Sequence, residues 1–265
     1  MKKKLFFLTF LSGNIKYFSP ENHIWLKKNP KYNIKFCLFP WNDVNKKKIN
    51  NLKKAYKPIL LKKINKINYE KTCGKIKYPD YAGNSLGTLY MWDSIQKSFI
   101  EIYNYYKKKK IRPDYIIRYR SDILPKEKIF LLKSQLSEKE LLVPDRYHWN
   151  GINDQIFVIR FSDIKLFLDI NKFVKKFIKE DRFFCSEYLF QQFLKYKKIK
   201  IKYSKFNYNL MRFKNFKKIQ KNIKSEMKFK DKINCKINKL RYRLRNFEKY
   251  YIKKNYLNKN QEKII

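Results

Sequence analysis

A short run of β-branched and aromatic residues that breaks into fixed charges limits what this chain can fold into. Tyr115-Ile116-Ile117 reads as a buried strand, and it gives way to Arg118-Tyr119-Arg120-Ser121-Asp122. Pro113 marks its start after a helix-like segment. In open α/β sheets, ligands bind outside the carboxyl ends of strands. Two arginines there suit phosphate, and a carboxylate suits a divalent cation that bridges phosphates. The same ten residues also describe a solvated turn, so other parts of the chain must decide between the two.

Length and composition set wide bounds. With 265 residues the chain is one large α/β domain or two small ones, and it can bury a sizeable core. The net charge of +43 points to anionic partners: nucleotide-linked substrates, an anionic membrane surface or nucleic acid. Part of that charge follows coding bias. The chain has two alanines, Ala55 and Ala82, and is crowded with Lys, Asn, Ile, Phe and Tyr, whose codons are AT-rich. Cys37, Cys73, Cys185 and Cys235 are scattered without a CxxC pair, which argues against a zinc site or a disulfide framework. A reducing cytoplasm is the expected location. Leu5 to Leu11 is too short to be a membrane span and is expected to form a first, central strand from Lys4 to Leu11, buried on both faces.

That strand ends at Ser12-Gly13-Asn14, where a glycine lets backbone approach a ligand. Tyr32 to Phe39 is expected to be a second strand. Asn51 to Lys66 is expected to be a loop or short strand, and Asp80 to Gly87 a flexible segment. Asn84 or Ser85 then caps a helix from about Leu86 to Tyr106, with Leu89, Trp92, Ile95, Phe99 and Ile102 as its core face. Its amino terminus can receive an anion. Leu141 to Pro144 and Ile156 to Ile159 read as strands either side of a polar and aromatic loop. In that loop Tyr147, His148 and Trp149 can stack on a sugar or base. Asn153, Asp154 and Gln155 supply donors, acceptors and a general base. Ser162 is expected to cap a helix bearing Ile164, Phe167, Leu168, Val174, Phe177 and Ile178. Ser186 caps the next, with Glu187 in its first turn as either a helix-end residue or a catalytic acid. Lys198 to Tyr203 is the final edge strand.

The landmarks from residue 4 to about 212 then resemble a family in their order. Ser12-Gly13 after a strand, Phe36 to Trp41, Asn84-Ser85-Leu86, Asp114 to Asp122, Asn153 to Val158 and Ser186 to Leu189 resemble GT-A-like glycosyltransferases of bacterial surface-polysaccharide synthesis (lipopolysaccharide or capsule), of the WavE-like type. The resemblance implies an α/β, Rossmann-like sheet, mostly parallel and flanked by helices. It also implies transfer of a sugar from a nucleotide-diphosphate donor to a glycan or lipid-linked acceptor. Ser12, Gly13, Asn84, Ser85, Arg118, Arg120 and Asp122 would hold the donor. Tyr147, His148, Trp149, Asn153, Gln155 and Glu187 would meet substrate. Asp154 would act as the base, with Asp145 and Glu187 in reserve. The Asp-x-Asp usual in GT-A enzymes stands here as Arg120-Ser121-Asp122, leaving Asp122 as the single carboxylate for Mn2+ or Mg2+.

The carboxyl-terminal stretch differs from the rest. Residues 205–265 hold 20 basic and four acidic residues, a net +16. Ile233, Ile237, Leu240, Leu244, Phe247 and Tyr251 recur at spacings of four and three. The division expected is a glycosyltransferase domain over 1–204 and a basic helical tail over 205–265. The tail reads as a membrane-surface helix on the inner leaflet, with packing on the enzyme body or a dimer coiled coil as competing readings. The rival functions are a basic nucleic-acid-binding protein and a catalytically inactive protein of the same fold.

Overall fold

One seven-stranded sheet carries the structure, in the order β3-β2-β1-β4-β7-β6-β8. Its strands are β1 (Leu5–Gly13), β2 (Tyr32–Pro40), β3 (Leu60–Leu61), β4 (Tyr115–Tyr119), β6 (Glu140–Pro144), β7 (Ile156–Arg160) and β8 (Lys200–Ser204). Two further strands, β5 (Ile123–Pro125) and β9 (Tyr208–Leu210), pair in a small separate sheet. The helices are α1 (Lys46–Tyr56), α2 (Ser85–Lys107), α3 (Ile170–Lys179) and α4 (Ser186–Tyr196), with a 3-10 helix over Phe161–Phe167. This computed structural model describes residues 4–13, 15, 32–67, 85–125, 135–146, 148, 151–179, 186–206 and 208–210, all within Met1–Met211.

The fold is α/β, as expected: a mostly parallel sheet flanked by helices. β1 pairs in parallel with both β2 and β4. Its alternating residues serve two cores. Leu8 and Phe10 pack with α2, where Leu89, Trp92, Ile95, Phe99 and Ile102 are all fully buried. Phe7 and Leu11 face the opposite core, with Leu52 and Tyr56 of α1. The Phe10 and Phe99 rings meet edge to face at 5.1 Å. Each large apolar side chain buried this way contributes about 1.5–3 kcal/mol.

β7 is the exception in direction, antiparallel to both β4 and β6. Its reversal decides where the chemistry stands. β4 and β6 present their carboxyl ends at one edge of the sheet, whereas β7 presents the residues that lead into it. Asn153-Asp154-Gln155 therefore reach the same edge as the end of β4, where Tyr119 pairs with Ile156.

Several expectations need correction. Asn51 to Lys66 is not loop or strand alone, because α1 covers its first part and β3 its second. The Asn45 side chain accepts from the Lys48 N–H at 2.8 Å, and Ile49, Leu52 and Tyr56 bury one face. The central strand does not stop at Ile117; β4 runs through Arg118 and Tyr119, both buried. Ser162 caps no helix: it lies inside the 3-10 turn, whose cap position is Arg160. The turn at Leu168 and Asp169 then separates that turn from α3. β8 is an edge strand but not the last strand, since β9 follows it. Phe206 and Tyr208 belong to the second core. The segment expected to be flexible lies outside the described residues up to 84, as does the stretch from 211 to 265. No helix among the described residues is long and apolar enough to cross a membrane.

Candidate active site

In the sheet order 3-2-1-4 the strand order reverses at β1, because β2 lies on one side of it and β4 on the other. At such a switch point the crossover connections leave opposite faces and a crevice opens outside the carboxyl ends. Phe10 stands opposite Arg118 in the register, so Ser12-Gly13 and Arg120-Ser121-Asp122 leave the sheet on one edge. Gly13 has φ +83°, a left-handed conformation that disfavours any side chain, and its absent Cβ would stand 3.3 Å from Ser94 Oγ. Ser12 Oγ lies 3.3 Å from the same hydroxyl.

Four charges gather beside them. Arg120 grips Asp122 with both ends of its fork, Nε to Oδ1 at 3.0 Å and Nη2 to Oδ2 at 2.6 Å. Burial alone would lower the Arg120 pKa, but Asp122, and then Asp154, hold it above the usual guanidinium value. Arg118 is only 4% exposed. Its Nη1 donates to the Gln155 carbonyl at 2.5 Å, and its Nε meets no acceptor among the described residues. Burial pulls its pKa down to about 10 against the opposing field of Asp154. A guanidinium with that value is still fully charged near neutrality, so the cluster holds two cations and two carboxylates.

The loop that carries Asp154 is pinned on every side. Asn153 donates to the Arg146 carbonyl at 2.6 Å and to the Tyr208 hydroxyl at 2.7 Å, while its oxygen accepts from the Gln155 N–H at 2.9 Å. Tyr208 in turn donates to Gln155 Oε1 at 3.0 Å. Asn153 thus spends both ends of its amide on the protein and Gln155 its amide oxygen, and in this arrangement they brace the loop. The Ser186 hydroxyl donates to Asp154 Oδ2 and accepts from the Trp92 indole N–H at 3.2 Å. His148 accepts from the Asn153 N–H on Nδ1 at 3.2 Å, which places its proton on Nε2. Burial lowers its pKa, with Asp145 partly opposing. Asp145 itself is largely exposed, with its Oδ1 3.8 Å from that Nε2.

The expected site residues therefore divide. Arg118, Arg120, Asp122, Asn153, Asp154 and Gln155 come together, and Ser12 and Gly13 share their edge. Glu187 lies in the first turn of α4 and its carbonyl accepts from the Ile152 N–H at 2.9 Å, which ties it to the same loop. Asn84, Tyr147 and Trp149 lie outside the described residues, as does the side chain of Ser85. Ser186, Trp92 and Tyr208 join the site without having been singled out for it. Tyr208 is 53 residues from Gln155 in sequence, and no local spacing could have joined them. As a metal centre the donor set does not fit: Arg120 occupies both oxygens of Asp122, and no cluster of three or more ligating side chains exists among the described residues. A cavity of about 450 Å3 opens at the opposite edge, between Arg112, Asp114, Tyr115, Arg160, Phe161 and Ser162, and includes none of these groups.

No protein-family model matches the chain, and no curated protein matches its sequence. Among solved structures it is similar to glycosyltransferases. One is GlyE of Streptococcus pneumoniae TIGR4, with a TM-score of 0.42 and 11% identity over 76% of this chain and 45% of that one. The apo form of GlyE gives 0.40 and 10% over the same shares. An active-site mutant of LgtC gives 0.42 and 13%, over 75% of this chain and 72% of that one. The chain thus spans under half the length of the GlyE structures.

Proposed function

We propose that this protein is a glycosyltransferase that moves a sugar from a nucleotide-diphosphate donor to a hydroxyl of a glycan or lipid-linked acceptor. The observation that carries this reading is the gathering of Arg118, Arg120, Asp122 and Asp154 at the switch-point edge of the sheet. A diphosphate leaving group needs positive charge where negative charge develops. Arg120, the more exposed of the two cations, keeps Asp122 on its Nε and Nη2 and meets the diphosphate with Nη1, while Arg118 holds the loop and adds its field from behind.

In direct displacement, which inverts the anomeric carbon, Asp154 takes the proton of the acceptor hydroxyl. The acceptor oxygen bonds to the anomeric carbon as the bond from that carbon to the diphosphate oxygen breaks. The electron pair of that bond leaves with the nucleoside diphosphate. No step is routed through a metal, because Asp122 is spent on Arg120. The wider setting we propose is surface-polysaccharide synthesis. There the basic residues beyond 211 would hold the enzyme at an anionic inner leaflet, each contributing about 1 kcal/mol near such a surface.

Thermal shift against a panel of nucleotide sugars, with and without Mn2+, tests the donor class. A rise in melting temperature with one nucleotide sugar, and none with the free sugar, is expected. Unchanged melting across the panel would count against the reading.

A further inference from the structure

We infer that Ser186 and Trp92 are positioning residues for Asp154, a role that rests on the glycosyltransferase reading above. The indole Nε1–H of Trp92 is a donor only, so Ser186 Oγ must accept it, at 3.2 Å. A serine hydroxyl has one hydrogen to give. With the indole on its lone pair, that hydrogen is directed at Asp154 Oδ2. That oxygen must then be an acceptor, so the relay fixes the orientation of Asp154 and keeps the proton off Oδ2. Oδ1 is left as the oxygen that takes the acceptor's proton.

Each part of the relay is held by something rigid. Trp92 is fully buried in α2, its ring 5.0 Å from that of Phe190 in α4. Ser186 is the first residue of α4. The loop of Asp154 is fastened to the same helix start, with the Ile152 N–H on the Glu187 carbonyl and Gly151 pressed against the Glu187 backbone. The base is therefore aligned from the rear by two uncharged side chains, one from each helix.

The experiment measures hydrolysis of UDP-glucose, UDP-galactose, UDP-N-acetylglucosamine and GDP-mannose, with water as the acceptor, and donor affinity by calorimetry. On the donor that is turned over, Ser186→Ala should lower kcat about 10-fold, a part of the ~100- to 10,000-fold that a positioned base supplies, with donor affinity unchanged. Ser186→Thr, which keeps the hydroxyl, should restore kcat to within about 2-fold. Trp92→Phe should lower kcat in the same direction, and the double variant should be no worse than Ser186→Ala alone, as expected of residues acting through one contact. The Trp92 indole proton resonance, assigned by its loss in Trp92→Phe, should move in Ser186→Ala. Should Ser186→Ala not fold, Ser186→Cys takes its place, a thiol being a weak donor. Wild-type kcat in Ser186→Ala, or effects of the two variants that multiply, would overturn the positioning role. Asp154→Asn separates the two ideas. Wild-type turnover there contradicts the base assignment itself, whereas full loss there with full turnover in Ser186→Ala contradicts the relay alone.

Discussion

At Gly151 a Cβ would stand 2.1 Å from the Glu187 carbonyl carbon and oxygen, too close for any real side chain. Gly151→Ala must push the loop off the start of α4, and overpacking of this kind costs about 1–3 kcal/mol. The expected outcome is a lower melting temperature together with reduced turnover, because Asp154 sits three residues along the displaced loop. A variant with normal melting and turnover would show that the loop does not lean on that helix. Asp154→Asn tests the base directly. It should abolish transfer, by about 100-fold or more, and leave nucleotide-sugar affinity measured by calorimetry nearly intact. If affinity falls in step with turnover, Asp154 supports the donor instead. These residues were legible in sequence as polar groups between two strands. Their commitment to one another was not, because Ser186 lies 32 residues from Asp154 and Trp92 lies 94 from Ser186.

Among the elements, the longer strands of the large sheet and α2 announce themselves by composition, whereas the short β5 and β9, and α1, do not. Lysine runs and a Tyr-Lys-Pro ending hide a helix whose apolar face is only Ile49, Leu52 and Tyr56. The Asn45 cap and that spacing of three and four were the available signals. Leu52 is fully buried, so Leu52→Ala should cost about 2–5 kcal/mol in denaturant unfolding; a neutral effect would remove α1 from the core. The 3-10 turn before α3 was likewise hidden, since its apolar residues continue the helical spacing across the break at Leu168 and Asp169. Where α2 meets α3, Asp93 is buried and accepts from Lys97 at 2.7 Å and from Asn171 at 3.0 Å. Burial raises its pKa above the ordinary carboxylate value, more than these partners lower it. A carboxyl that binds its proton more tightly when folded favours the folded state at low pH. That contribution is lost as pH rises from the unfolded toward the folded pKa. Removing the group should therefore make the slope of melting temperature against pH more positive just above pH ~4. An unchanged slope in Asp93→Asn would contradict a raised pKa at that site.

For the whole molecule, the one reversal of direction at β7 gathers the chemistry. It turns the loop before β7 to the edge where β1 and β4 end, and no reading of single strands predicts which way β7 runs. The alternation of apolar residues made the sheet class legible; the pairing of β1 with β4 was not, because it depends on contacts over a hundred residues apart, such as Phe6 with Asp114. The basic carboxyl-terminal stretch is a separable proposal. Cutting after Met211 keeps β9, whose Tyr208 braces Asn153 and Gln155. The shortened protein should lose binding to anionic vesicles in a co-sedimentation assay and keep its donor hydrolysis; retained vesicle binding would place the membrane contact elsewhere. The central claim is that the switch-point edge binds and cleaves a nucleotide-diphosphate sugar through Arg120. It is tested most directly by measuring nucleoside diphosphate released from a panel of nucleotide sugars by the wild type and by Arg120→Gln. The account predicts release from at least one donor by the wild type, and a loss of about 10-fold or more in a folded Arg120→Gln protein. Release that is equal in the two proteins, or no release from any donor alongside salt-sensitive binding of single-stranded RNA, would contradict it.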